Sequence, residues 1–177
     1  ETYGIRNLEF LLAGGWLPCE IRAHYEKAAR SLCAWLEPHF SNLRLHRLHG
    51  DCHAGNILWT DAGPHFVDLD DARNAPAVQD LWMLLSGDRR DRSLQLSQLL
   101  EGYESMRPFD RRELAWIEPL RTLRLVHYSA WLARRWADPA FPAAFPWFAS
   151  GSYWGQQTSL LRQQIDLMQG DGAPQGM

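Results

Sequence analysis

From Asn42 to Leu69 the chain drops the spacing that organises the rest of it. Elsewhere apolar residues step by three and four, as in Ile21, Tyr25, Ala28, Leu32, Trp35 and Leu36, or Val78, Leu81, Trp82 and Leu85. That is the stripe of an amphipathic helix. Within 42–69 the pattern alternates instead. Leu43 and Leu45 sit between polar residues. Ile57-Leu58-Trp59 and His65-Phe66-Val67-Asp68-Leu69 flank the turn residues Thr60-Asp61-Ala62-Gly63-Pro64. The expectation is a mainly α chain with a short strand over 42–48 and a small β-hairpin near its middle, acidic residues standing at the hairpin mouth.

The helical remainder reads as follows. Residues 1–19 are weakly patterned and contain Gly4, Gly14, Gly15 and Pro18, so an irregular lead-in is expected. A helix from Glu20 should end at Pro38. The helix from residue 77 should stop at Gly87. A polar stretch over 88–92 leads to a helix over about 93–105. Asp110 and Glu113 have the spacing of a capping box, and Pro119 should kink the helix that follows. The three prolines within 138–148 predict an ordered loop, residues 153–169 a last helix, and 170–177 a disordered tail. Trp147 and Trp154 are candidates for surface contact, whereas Trp35, Trp82 and Trp131 lie on apolar helix faces.

Composition excludes several classes. With 177 residues, 46% hydrophobic and 22% charged, the chain can bury a core of its own and reads as one domain. A net charge of -3 without a basic stripe argues against nucleic acid as a partner. No apolar run approaches ~18 residues, so no membrane helix is expected. The cysteines, Cys19, Cys33 and Cys52, are odd in number and form no CxxC pair. They suit a reducing compartment, the cytoplasm. Of 18 basic residues only Lys27 is a lysine.

The chemistry concentrates in residues 46–73, HRLHGDCHAGNILWTDAGPHFVDLDDAR. Phosphoryl transfer needs one carboxylate to orient the attacking hydroxyl and two oxygen ligands for Mg²⁺. Kinase catalytic loops place the base Asp five residues before a metal-binding Asn, with a metal-binding Asp beyond. Asp51 and Asn56 have that spacing, and the hairpin delivers Asp68 at the end of an apolar strand. A rival is a zinc cluster of His46, His49, Asp51 and His53, which leaves Asn56 and the acidic hairpin end unexplained. A calcium loop from Asp68 fails, because Arg73 and Gln79 occupy the positions that need Gly and Glu. Cys52 beside Asp51 has no helper that would make it a nucleophile. For Asp70 and Asp71 a plain acidic turn stands as the alternative, and for Asp80 a solvated acid at a helix start.

The string His49-Gly50-Asp51-x-His53-x-x-Asn56, followed by Val67-Asp68-Leu69-Asp70, resembles the aminoglycoside-phosphotransferase/choline-kinase branch of the protein-kinase-like folds. The wording LHGDCHAGNILW…FVDLDDARN…VQDLWMLL is closest to the bacterial stress-response Ser/Thr kinases of that branch. The resemblance implies Asp51 as catalytic base and Asn56 and Asp68 as Mg²⁺ ligands at the ATP phosphates. It implies His49 and His53 as structural members of the loop, Asp80 as the acid that bonds the loop backbone, and Asp70 as a weaker metal candidate. It implies ATP as co-substrate and a protein Ser/Thr hydroxyl as acceptor, with a small amino sugar or choline-like alcohol as the alternative. Catalytic loop, hairpin and following helix would occupy 43–87 of a kinase-like C-terminal lobe. Such kinases also carry an N-terminal lobe with a phosphate-covering loop and a strand lysine. The sequence has no GxGxxG, and Lys27 lies in a helical pattern, so the chain is expected to be the C-terminal lobe with the N-lobe absent. Such a fragment would clamp ATP poorly and be inactive alone.

Overall fold

The computed structural model describes residues 4–40 and 43–170. The expected disordered tail over 170–177 lies outside these residues apart from Gly170. The chain forms two compact units, one from residues 1–41 with 118–177, the other from residues 42–117.

The first unit is helical. Helix α1 (Ile5–Ala13) replaces the expected irregular lead-in. Its buried residues Leu8, Leu11 and Leu12 already carry helical spacing, and Gly4 and Gly14 only mark its two ends. Helix α2 (Cys19–Phe40) runs through Pro38 instead of stopping there. Proline removes one intrahelical hydrogen bond, and with two residues left to wind, the last turn tolerates it. The unit also holds α5 (Ile117–Arg135) from Glu118 onward, α6 (Ala140–Ala144) and α7 (Gly151–Gly170). Pro119 sits in the first turn of α5, where its missing N–H has no intrahelical partner to lose, so a kink there has no cause. Helix α6 occupies part of the stretch expected to be loop. Helices α2 and α7 pack together, with Tyr25 edge-on to Trp154 at 5.4 Å. Trp154 is fully buried, against the surface role expected for it, while Trp147 remains exposed.

The second unit holds the patterned segment. Strand β1 (His46–Leu48) pairs antiparallel with β4 (Arg73–Ala75), and β2 (Ile57–Thr60) with β3 (Gly63–Phe66). The hairpin is tighter than expected. Thr60 faces Gly63 across a two-residue turn, and the returning strand ends at Phe66, before Val67 and Asp68. Of the expected strand over 42–48 the described residues pair only at His46–Leu48, and residue 42 lies outside them. Helix α3 (Val78–Trp82) is short and ends well before Gly87, its exit tightening through Leu84 N–H to Leu81 O and Leu85 N–H to Trp82 O. Helix α4 (Arg89–Glu104) starts earlier than expected, because Asp88 and Asp91 form a capping box. Asp110 caps a 3₁₀ turn, Arg111–Trp116, through the Arg112 amide, and Glu113 takes no part in that cap.

The two ladders fix the site. Leu48 faces Arg73 in one, and Ile57 faces Phe66 in the other. Residues 49–56 and 67–72 therefore both bridge the same two ladder ends and are held beside each other.

Candidate active site

The loop 49–56 is bonded from three directions. From α3, the Asp80 carboxylate accepts two backbone N–H groups, His49 at 2.9 Å and Gly50 at 2.9 Å. The Gln79 amide donates to the Gly50 carbonyl at 3.3 Å, and Gln79 is buried. From the hairpin exit, the Val67 carbonyl accepts from His49 Nε2 at 2.8 Å, and the Val67 N–H donates to the Asn56 carbonyl at 3.0 Å. Within the loop, Asn56 Nδ2 donates to the Asp51 carbonyl at 3.0 Å, and the Asp51 N–H donates to His49 Nδ1 at 3.3 Å. His49 thus donates through Nε2 and accepts through Nδ1, which places its one ring proton on Nε2.

Gly50 is required where it stands. Its φ is +86°, and a Cβ there would overlap the Asp71 carbonyl oxygen. Arg73 holds that carbonyl through Nε at 2.7 Å and pairs with the Asp71 carboxylate. The loop 49–56 and the acidic turn thus meet backbone to backbone, a closeness that only glycine permits.

Asp51 is half-buried. His53 accepts the Gly55 N–H on Nδ1 at 3.0 Å, so its Nε2 carries the proton, 3.7 Å from Asp51 Oδ2. Asp68 is the one residue other than glycine with positive φ among those described, at φ 61° and ψ 67°. Such a conformation costs on the order of 1 kcal/mol or more and gathers at functional positions. It turns the chain immediately after the Val67 bridge, so Asp68 stands one residue from the backbone bond to Asn56. Asp70 lies in the 3₁₀ turn Leu69–Asp71, is exposed, and among the described residues shares no hydrogen bond or ion pair with the loop.

The donor chemistry fits Mg²⁺. Asn56 commits its Nδ2 to the Asp51 carbonyl, so its hard carbonyl oxygen would be the ligand atom, and Asp68 would add a carboxylate. Zinc fits poorly. Both nitrogens of His49 and one of His53 are engaged, His46 bonds Arg107 instead, and no three His, Cys, Asp or Glu side chains among the described residues gather into a metal site. Beside the loop lies a hollow of about 590 Å³ lined by Leu48, His49, Cys52, Phe66, Leu69 and Asp80 among others. Burial first, then the charges of Asp80 and Asp51, push the Cys52 thiol up to about 11, so it is a protonated wall and not a nucleophile.

Comparison with known families matches residues 1–117 to the phosphotransferase enzyme family. The chain belongs to that family. Among curated proteins, stress response kinase A of Escherichia coli (strain K12) is 53% identical over 154 residues, covering 86% of the chain and 47% of the relative. The chain is 59% identical over 122 residues to the serine/threonine protein kinase RdoA of Salmonella typhimurium (strain LT2), covering 69% of the chain and 37% of the relative. It is 52% identical over 154 residues to stress response kinase A of Shigella flexneri, covering 86% of the chain and 47% of the relative. The chain spans about half the length, or less, of the curated relatives it matches. The resemblance read from His49–Asn56 and Val67–Asp70 is thus to the group these relatives form. No described helix of the chain is long and apolar enough to cross a membrane.

Hydrogen bonds join His49, Asp51, Asn56 and Asp80 in one frame, with His53 beside Asp51 and Asp68 following the Val67 bridge. Sequence reasoning missed Gln79, Arg73 and Glu113. Gln79 carried a signal, a polar residue on the apolar face of α3. Glu113 carried a misleading one, its spacing from Asp110.

Proposed function

We propose that the protein to which this chain belongs transfers the γ-phosphoryl group of ATP, with Mg²⁺, to the hydroxyl of a protein serine or threonine in the cytoplasm. The observation that carries the reading is the hydrogen-bonded frame that sets Asp51 and Asn56 on one turn, with Asp68 one residue past the Val67 bridge. Asp51 orients the acceptor hydroxyl and takes its proton as the oxygen bonds phosphorus. The bond from phosphorus to the β–γ bridging oxygen breaks, and ADP leaves with that electron pair. Asn56 and Asp68 would hold Mg²⁺, which would neutralise phosphate charge. His53 is a structural member of the loop, its Nε2 3.7 Å from Asp51 Oδ2. His49 and Asp80 keep the loop backbone in place, and Asp70 is at most an outer contact to the metal.

Relatives named stress response kinase A and serine/threonine protein kinase RdoA favour a protein acceptor over an amino sugar or choline-like alcohol. The test uses the full-length protein with labelled ATP, Mg²⁺, a generic protein substrate and an amino-alcohol panel. Label should pass to protein Ser/Thr. Replacing Asp51 by Asn should lower kcat by about 10²-fold or more at an unchanged melting temperature. Undiminished transfer by that variant would overturn Asp51 as the base.

A further inference from the structure

Glu113 is a buried acid for which the reaction as proposed has no use. It is 2% exposed and lies in the 3₁₀ turn Arg111–Trp116. Its Oε2 accepts the Val78 N–H at 3.0 Å. That amide is the first of α3, and Ala77, which precedes it, offers no side-chain cap. A helix of five residues has few internal bonds to keep its start in place, so an outside acceptor at its first turn matters more than in a long helix. Burial raises the pKa of Glu113, and the bond to Val78 opposes that rise.

The next two residues of α3 are Gln79 and Asp80. Between them they hold three backbone groups of the loop: the His49 N–H, the Gly50 N–H and the Gly50 carbonyl. Asp51 follows directly. A continuous series of bonds runs from Glu113 to Val78, along one turn of helix to Gln79 and Asp80, and on to the residues that aim Asp51.

We infer that Glu113 is a positioning residue for the catalytic loop, acting through the start of α3 and the Gln79–Asp80 grip. The inference deepens the phosphotransfer reading above, and only its kinetic arm rests on that reading. A shift of about 1 Å in a positioned group can cost on the order of 10²-fold in rate. A residue two hydrogen-bond links removed from the loop that carries Asp51 should therefore show in kcat and spare KM for ATP.

The test takes Glu113→Gln, Glu113→Asp and Glu113→Leu in the full-length protein. Backbone amide exchange is followed at His49 and Gly50, with Leu100 of α4 as the internal reference for global stability. Glu113→Gln keeps an acceptor oxygen and should keep both amides protected and kcat within about twofold. Glu113→Leu, and Glu113→Asp with its shorter reach, should speed exchange at His49 and Gly50 about tenfold or more relative to Leu100. They should lower kcat by a similar factor with KM for ATP unchanged. If Glu113→Leu does not fold, Glu113→Asp decides. Equal acceleration at Leu100 reduces Glu113 to a structural cap and overturns the inference, as does unchanged exchange at His49 and Gly50 in a folded variant. Absence of phosphotransfer by the wild type would sink the kinase reading and leave the exchange result standing.

Discussion

Cys52 is next to Asp51 in sequence and its opposite in chemistry. Burial, then the fields of Asp80 and Asp51, hold its thiol at a pKa of about 11, so almost no thiolate exists at neutral pH. Cys19 is exposed. Iodoacetamide at pH 7.5 should label Cys19 first, with Cys52 reacting at least about tenfold more slowly, as peptide mass spectrometry would read. Glu113 gives the residue scale a pH signature. Its folded pKa is raised, chiefly by burial, so the folded state favours the protonated form. The contribution to stability is whole below the ordinary glutamate range and is lost as pH rises through the raised value. Glu113→Gln cannot titrate, so its melting temperature should fall less across that window than the wild type's. Parallel melting curves for the two proteins would contradict the assignment.

At the scale of elements, glycines separate two kinds of cost. Gly50 combines φ +86° with a closed approach to the Asp71 carbonyl, whereas Gly63 has φ +108° and open space around its missing Cβ. Gly63→Ala should cost only backbone strain, about 1 kcal/mol. Gly50→Ala must also push two backbone segments apart and should cost clearly more, about 3 kcal/mol or above. Gly102 lies inside α4 with nothing within 4 Å, so Gly102→Ala should add about 0.5–1 kcal/mol. Thermal melts of the three variants test the order. The loop and hairpin were legible because turn residues and the spacing of Asp51, Asn56 and Asp68 are local properties. The capping of α4 was not, because Asp91 stands where the usual box has Glu or Gln. Glu113 was misread for the complementary reason. Its spacing from Asp110 is right for a local box, yet its carboxylate is spent on Val78, 35 residues away. Spacing cannot reveal a partner that distant.

At the scale of the whole molecule, the site residues share one unit and the chain's single lysine lies in the other. His49 to Asn56, Asp68 and Asp80 all fall within 42–117, whereas Lys27 is exposed on α2. The helical spacing around Lys27 already took it off any strand, but the division into two units was not legible, and the sequence read as one domain. The burial of Trp154 was not legible, because it depends on α2 packing against α7 across more than a hundred residues of sequence. Kinases hold ATP phosphates with a strand lysine and a covering loop besides the metal ligands. Strands β1 to β4 carry no lysine. The strands of the unit that holds the site therefore offer the phosphates no ammonium, and Asn56 and Asp68 are the oxygen ligands proposed for Mg²⁺. Calorimetry with Mg²⁺ and ATP should give a Kd for residues 1–177 weaker than about 1 mM, worth less than about 4 kcal/mol. The full-length protein should bind in the micromolar range, and Lys27→Ala should leave both values unchanged. Micromolar binding by the 177-residue chain itself, lost on replacing Lys27, would place the phosphate clamp on α2 and end the reading of this chain as one lobe of a larger kinase.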